Sequence, residues 1–488
     1  MSGHHATLPP VTDVDPATQG PADGAASPLS ADDLVRLTGG RLVIRSERPI
    51  RGAAVDSRLV EPGQLFVALP GERTDGHAHL SQAVVRGAAA LIVTRPLTDP
   101  VSLGDVTIVR VTDGGAALGA VAAGWRRRFD PLVVGITGSI AKTSTKEAVA
   151  TVLAADRQTL RSEGNQNNEI GLPLTLLRLG PEHAALVLEM GMYTSGEIAD
   201  LAAMARPSIG VVTAVQAVHL SRIGSLDAIE RAKGELLEAL PAGGSAILNA
   251  DDPIVDRMAG RTIARVVRYG FAETADVRAT GVRSLGAGGM RFDLATPAGR
   301  RSVTIPALGR LSVHNACAAA AVGLTAGIDL DVIAAALGVG WGAPHRVELV
   351  RLRGVTLIDD SYNASPGSMA AALEVLADQP GRRVAVLGEM LELGEGHDAG
   401  HDAVGRAAAS VAELLVVVGS GATGIIDGAR AAGLDASRIH HVPDADTARD
   451  VLGPRLRDGD VVLIKASRGI ALDTLVDALR AELGEAGP

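Results

Sequence analysis

The chain has 488 residues, a formal net charge of −10 and one cysteine, Cys317. That length asks for about three domains, and the acidic balance argues against a general nucleic-acid or membrane-surface binder. A lone cysteine excludes an intrachain disulfide and a cysteine-based metal site. Aromatic residues make up only 2% of the chain, so its cores must be built from Ala, Val, Leu and Ile. No run of about 18 apolar residues suggests a membrane span, and the N-terminus lacks the basic start and apolar block of a signal peptide. A cytoplasmic protein is the expectation.

Residues 1–28 are rich in Pro, Gly, Ala, Thr and Asp without periodicity and read as a disordered tail. A helix over Ala31–Leu37 follows, then strands at Arg41–Ile44 and Leu65–Ala68, a helix around Leu80–Arg86 and a strand at Ala89–Thr94. This makes a small α/β domain over residues 29–112. A helix with Trp125 leads into the strand Leu132–Ile136, a glycine-containing turn and a helix from Lys142. Strands at Ala185–Glu189, Ile209–Thr213 and Ala246–Asn249 alternate with helices, which predicts a parallel sheet. Val266–Thr304 reads as an antiparallel insert and Val313–Leu324 as a helix with Cys317 buried in it, closing a central domain over residues 113–343. Strands at Thr356–Asp360, Arg383–Leu387, Leu414–Val418 and Val461–Lys465 then predict a doubly wound Rossmann-like domain over residues 344–488.

Four of the 46 basic residues are lysines: Lys142, Lys146, Lys233 and Lys465. Arginine cannot serve where a compact ammonium or a deprotonatable amine is needed, so the surviving lysines are candidates for chemistry. The segment Gly135-Ile136-Thr137-Gly138-Ser139-Ile140-Ala141-Lys142-Thr143-Ser144 follows an apolar strand and opens a helix. Its backbone N–H groups can face an anion, Lys142 can reach the β- and γ-phosphates, and Thr143 can hold Mg²⁺. Ala141 stands where glycine is usual; a left-handed backbone there would cost roughly 1 kcal/mol. Glu189 and His219 end apolar strands and suit a metal, or alternatively a turn cap and a hydrogen-bonded loop histidine. The amide-rich loop Gly164–Gly171 fits either a turn or a polar substrate. Lys146 reads as a solvated lysine, and His397 with His401 as a solvated loop-to-helix face.

Several segments occur together in a distinctive order: Asp56-Ser57-Arg58; Pro62–Glu72; Gly164-Asn165-Gln166-Asn167-Asn168-Glu169-Ile170-Gly171-Leu172-Pro173-Leu174-Thr175; Glu189-Met190-Gly191; Ala232-Lys233-Gly234-Glu235; Asn249-Ala250-Asp251-Asp252; Ile358–Pro366; Leu387–Gly394; and Lys465-Ala466-Ser467-Arg468-Gly469. In these the chain resembles the Mur ligase family, and within it the members that add D-alanyl-D-alanine to UDP-N-acetylmuramoyl-tripeptide. The resemblance spans Asp56 to Arg468. It implies a UDP-substrate domain, a central ATPase-like domain and a C-terminal ligase domain, with the carboxylate activated by ATP as an acyl phosphate and then joined to an amine.

The resemblance also implies roles. Gly138, Ser139, Ala141, Lys142, Thr143 and Ser144 would hold the ATP phosphates, with Lys142 stabilising the transferred phosphoryl group. Thr143 and Glu189 would hold one Mg²⁺ and His219 a second. Lys233 would be carbamylated, a reaction only a neutral amine can undergo. Asn315 would recognise adenine, Arg346 the phosphates, and Asp360 with Tyr362 the ribose and base. Ser57, Arg58, Asn165, Asn168, Asn363 and Lys465 would bind the substrates, Lys465 taking the dipeptide carboxylate. Partners would be small molecules, with no nucleic acid, and the protein a monomer. Ala214 and Ser221 depart from the family's usual Asn and acidic residue, which bears on ATP affinity and turnover. Within this reading the main competitor is another amide-forming Mur relative with a different amine donor; beside it stand a nucleotide-binding pseudoenzyme, supported by Ala141, and an unrelated P-loop transporter or switch ATPase, opposed by the second α/β domain and the asparagine loop.

Overall fold

In the computed structural model, residues 27–71, 74–216 and 223–484 are described. The chain forms two compact units. One holds the residues up to Pro131 with Asn165–Ala184 and Ala203–Ala205; the other holds Leu132–Gly164, Ala185–Ala202 and the chain from Arg206.

The first unit contains a five-stranded sheet in the order Arg41–Ile44, Thr107–Arg110, Ala90–Val93, Leu65–Val67, Ala53–Ala54. Only its first pair is antiparallel. The helix Ala31–Thr38 starts on a Ser30–Asp33 capping box and stops where Gly39 turns left-handed, at φ 63°. The helix Gly114–Arg126 is capped by Asp113. From its last turn Trp125 Nε1 donates to the Leu179 carbonyl (2.9 Å) and Arg126 Nε to the Ala205 carbonyl (3.0 Å). These bonds tie the two later segments to this unit. The expected tail falls outside the described residues except for Ser27 and Pro28; the Ser27 carbonyl accepts from Arg128.

The second unit carries two sheets. The larger has nine strands in the order Gly299–Ile305, Met290–Thr296, Val277–Ser284, Arg265–Gly270, Ser245–Asn249, Ile209–Val212, Leu132–Thr137, Ala185–Glu189, Thr159–Arg161. The expected antiparallel insert is corrected here. Arg265–Gly270 runs parallel to Ser245–Asn249, and only the strands from Val277 onward form antiparallel pairs. They extend the same sheet because Val267, Val277, Phe292 and Ile305 share one apolar core with the strands beside them. The helices Lys142–Ala154 and Gly309–Thr325 pack in that core. Ala316 and Ala318 to Ala321 are fully buried, and a Cβ on Gly323 would stand 2.7 Å from a Val152 methyl. Small side chains thus do by close approach what aromatic bulk does elsewhere.

The smaller sheet has the order Glu348–Arg351, Val355–Asp359, Asp460–Lys465, Arg383–Gly388, Leu414–Val418, Ile439–Val442, antiparallel only at its first pair. Alternate strand residues enter two separate cores. Ile358, Leu387, Leu415 and Leu463 face one set of helices; Leu357, Val386, Val416 and Val462 face the other. Covered on both faces, this sheet is open to ligands only at its strand ends.

Candidate active site

The strand Leu132–Thr137 ends in a turn that its own backbone shapes. Gly138 has φ 150°, and a Cβ there would fall 1.9 Å from Thr213 Oγ1, so no larger residue fits. Ser139 N donates to the Ala214 carbonyl (2.7 Å) and Thr213 Oγ1 to the Ile140 carbonyl (2.6 Å). Ala141 is left-handed at φ 64°, and no side chain caps the helix that follows. The first N–H groups of that 13-residue helix therefore remain available to an anion. Half-buried Lys142 folds back to the Gly138 carbonyl (2.8 Å). Burial lowers its pKa; Glu189 opposes this shift and Arg346 adds to it.

Thr143 Oγ1 donates to Glu189 Oε2 (2.8 Å), and both residues are buried. A hydroxyl and a carboxylate side by side at a phosphate loop are a fitting hard-oxygen pair for Mg²⁺. His219 and Ser221 lie outside the described residues. Lys146 is not solvated, contrary to the sequence expectation: it is fully buried, donating to the carbonyls of Ser162 (2.6 Å) and Gly164 (3.2 Å) and pairing with Glu147 (2.9 Å). Ser162 Oγ in turn accepts from Glu189 N (3.3 Å). The phosphate helix and the strand end carrying the carboxylate are thereby linked through one buried ammonium.

Lys233 lies on the helix Leu226–Glu238 and is 3% exposed. Burial first, and the neighbouring Lys142 second, push its pKa well below the ordinary lysine range. Asn315 is buried, its Oδ1 accepting from Thr145 Oγ1 (3.0 Å). It lines a cavity of about 490 Å³ with Ser144, Leu308, Leu311, Trp341 and Pro344.

A second cavity, of about 350 Å³, shares Ser144, Leu308 and Arg346 with the first. The phosphate loop, Lys142, Thr143 and Glu189 line one wall; Asp360, Asn363, Glu392, Lys465 and Arg468 line the other. Lys465, at a strand end, is 2% exposed and donates to Asp360 Oδ2 (2.5 Å) and the Asn363 carbonyl (2.9 Å). Burial raises the pKa of the Asp360 carboxyl and lowers that of the Lys465 amine, while their attraction opposes both shifts. Tyr362 carries the Arg346 guanidinium 4.3 Å from its ring centre and that of Arg468 at 5.5 Å. Ala141, Val347 and Glu392 all line this cavity with φ between 54° and 64°, and His345, next to Arg346, has φ 59°. For a β-branched residue such as Val347 that conformation is strained, and strain of this kind concentrates at functional sites.

The remaining sequence candidates lie in the first unit. Ser57 Oγ donates to Gln82 Oε1 (2.7 Å), and the exposed Arg58 pairs with Asp56 (2.6 Å). Asn168 Oδ1 accepts from Gly171 N (2.9 Å), and the Asn165 carbonyl from Asn167 N (2.7 Å). In the second unit the His397–His401 reading is corrected. His401 is fully buried: Nδ1 bonds the His397 carbonyl (2.7 Å) and Nε2 accepts from Met390 N (3.0 Å).

Three family models match the chain: the Mur ligase family catalytic domain over residues 49–126, the Mur ligase middle domain over 136–323, and the Mur ligase glutamate ligase domain over 345–468. Two relatives are named UDP-N-acetylmuramoyl-tripeptide–D-alanyl-D-alanine ligase. The Mycobacterium tuberculosis protein is 41% identical, covering 88% of this chain and 91% of its own. The Escherichia coli protein is 39% identical, covering 87% and 92%. The chain belongs to the Mur ligase family. Its three-domain α/β architecture is that of solved family members. MurF from Acinetobacter baumannii superposes with TM-score 0.83 at 31% identity, covering 93% of this chain and 99% of that one. MurF from Thermotoga maritima in complex with ADP gives 0.78 at 28%, covering 89% and 98%.

Of the residues singled out from the sequence, the turn from Ser139 to Ser144, Glu189, Asp360, Asn363 and Lys465 line one cavity. Sequence reasoning gave Arg468 and Glu392 no role, although both sit inside the motifs it quoted. Their signal was position: each follows the carboxyl end of a parallel strand, where the pocket of an open sheet must lie.

Proposed function

We propose that the protein is an ATP-dependent ligase that joins D-alanyl-D-alanine to UDP-N-acetylmuramoyl-tripeptide, acting in the cytoplasm as a monomer on small-molecule substrates of peptidoglycan precursor synthesis. The observation that carries this reading is one cavity with the Lys142 turn and an uncapped helix N-terminus on one wall and charged strand-end residues, Asp360, Lys465 and Arg468, on the other. Relatives at 39–41% identity are named for this activity, and one structural neighbour holds ADP.

The chemistry needs both walls. A carboxylate is a poor electrophile, so its oxygen first attacks the γ-phosphorus of ATP. ADP leaves, and the carboxylate has become an acyl phosphate. Lys142 and the helix N-terminus neutralise the charge on the transferring group. The dipeptide amine then attacks the acyl carbon through a tetrahedral intermediate. Phosphate departs with the former carboxylate oxygen, and the amine proton passes to solvent. No protein nucleophile takes part.

Gly138, Ser139, Ala141, Thr143 and Ser144 complete the phosphate cradle. Thr143 and Glu189 are the groups that would hold Mg²⁺, with His219 at a second ion; bound there, the metal supplies positive charge beside the phosphates. Lys233, an amine whose pKa burial pushes well below the ordinary lysine range, suits carbamylation by CO₂. Asn315 fits the adenine side of the larger cavity and Arg346 the phosphates. Asp360 and Tyr362 would serve the ribose and base, and Asp360 and Asn363 the dipeptide. Ser57, Arg58, Asn165 and Asn168 serve the UDP-linked substrate.

The test is substrate-dependent ADP release. Full release is expected only when UDP-N-acetylmuramoyl-tripeptide and D-alanyl-D-alanine are both present. A stronger response to a different amine would reassign the acceptor, and release with neither substrate would overturn the reading.

A further inference from the structure

The carboxylate of the incoming dipeptide needs a cation, and among the described residues four line the cavity: Lys142, Arg346, Lys465 and Arg468. Lys142 belongs to the phosphate turn. Arg346 lines both this cavity and the one beside Asn315, so it is read with the nucleotide. Lys465 is the cation sequence reasoning chose, but its ammonium is sealed: 2% exposed, matched by Asp360 at 2.5 Å and bonded to the Asn363 carbonyl. A second carboxylate there would have to displace a buried ion pair, which is strongly unfavourable.

Arg468 differs in each respect. Its side chain is 60% exposed, and among the described residues its one ion pair, with Asp473 at 2.8 Å, uses a single nitrogen. A guanidinium has five N–H donors in a planar fork, so an edge remains for a bidentate carboxylate. The Tyr362 ring centre lies 5.5 Å from the group, within range of a cation–π contact. The spacing also fits. Arg346 and Arg468 lie on one ring, 4.3 and 5.5 Å from its centre, so they are within about 10 Å of each other. An extended dipeptide is about 7 Å long. With its carboxylate on Arg468, its amine reaches the Arg346 side of the cavity, where the phosphates lie.

We propose that Arg468 is the specificity-determining receptor for the terminal carboxylate of the acceptor dipeptide, with Lys465 acting only to hold Asp360 and the Asn363 carbonyl in place. This rests on the ligase reading above and assigns the acceptor end of the same site.

The test crosses Arg468→Ala with removal of the substrate's charge, using D-alanyl-D-alanine and its C-terminal amide. In the wild type the amide should raise KM roughly 10- to 100-fold, the range for a charged hydrogen-bonded contact. Arg468→Ala should raise the KM for the acid by a similar factor, leave the KM for ATP unchanged and alter kcat little. For the variant, acid and amide should then be equivalent. Arg468→Lys should recover part of the loss. Losses from variant and amide that multiply would show the carboxylate is read elsewhere and would overturn the assignment, as would an unchanged KM. A wild type active with D-alanyl-D-alanine beside an unaffected variant overturns Arg468 alone. A wild type inactive with D-alanyl-D-alanine overturns the ligase reading and this assignment together.

Discussion

The two walls of the catalytic cavity are built alike and work differently. Each lies where a parallel strand ends: Leu132–Thr137 on the central side, Asp460–Lys465 on the C-terminal side. The central wall offers backbone N–H groups and a single lysine that folds back on its own turn. Such a wall suits any nucleoside triphosphate. The C-terminal wall offers side chains already paired, Lys465 on Asp360 and Arg468 on Asp473. Its selectivity lies in which pairs are sealed and which can still open. On the proposed reading, backbone geometry recognises the nucleotide and side-chain pairing the acceptor.

The largest effect should fall on the central wall. Lys142→Ala should lower kcat by about 10³-fold or more, roughly 4 kcal/mol, in an ADP-release assay, as removal of a preorganised donor to a developing charge does elsewhere. A loss below tenfold would erase the contrast between the walls. Lys233→Ala should lose most activity, with partial return on adding formate or acetate to replace a carbamate carboxylate. An unaffected rate would remove Lys233 from the mechanism.

Lys146 sharpens the comparison inside the central wall. Lys146→Met leaves the Ser162 and Gly164 carbonyls without their donor and loosens the segment that holds Glu189. The expected result is a roughly 10-fold lower kcat and a higher Mg²⁺ requirement, beyond the 1–3 kcal/mol of stability that unsatisfied buried groups cost. Lys146→Arg should not restore it, because a guanidinium does not fit a site shaped for an ammonium. A normal Mg²⁺ titration would make Lys146 a packing residue only.

The smallest effect belongs to the C-terminal side. His401 is neutral when folded: burial lowers its pKa from the ordinary 6.5, and Nε2 accepts from Met390 N. Acidification protonates the unfolded chain first, so stability should decline as pH falls through about 6.5 and below. His401→Gln should flatten that slope in Tm measured between pH 7.5 and 5.5. Parallel slopes would show that other groups dominate.

Much of this was legible in the sequence, and the misses share a cause. The phosphate turn was readable because Gly138, Lys142 and Thr143 fall at fixed spacing after an apolar strand. Ala141 was noticed as a departure, and it takes the left-handed conformation that a glycine would take, at φ 64°. Apolar runs gave most strands, but Thr159–Arg161 and Ile439–Val442 hold too few apolar residues to register. Lys146 was misjudged because its acceptors are backbone carbonyls 16 and 18 residues away, which no local pattern announces. His401 was misjudged for the same reason, since the Met390 N–H it accepts from lies in the loop before its helix. Lys465 was read from its strand-end position alone; its contact with Asp360, 105 positions distant, is not visible in the sequence.

The most direct test of the account follows an atom. UDP-N-acetylmuramoyl-tripeptide labelled with ¹⁸O in the reacting carboxylate, turned over with ATP and D-alanyl-D-alanine, should release inorganic phosphate carrying one ¹⁸O per amide formed. Phosphate free of label, with amide still produced, would contradict an acyl phosphate and with it the roles assigned to both walls.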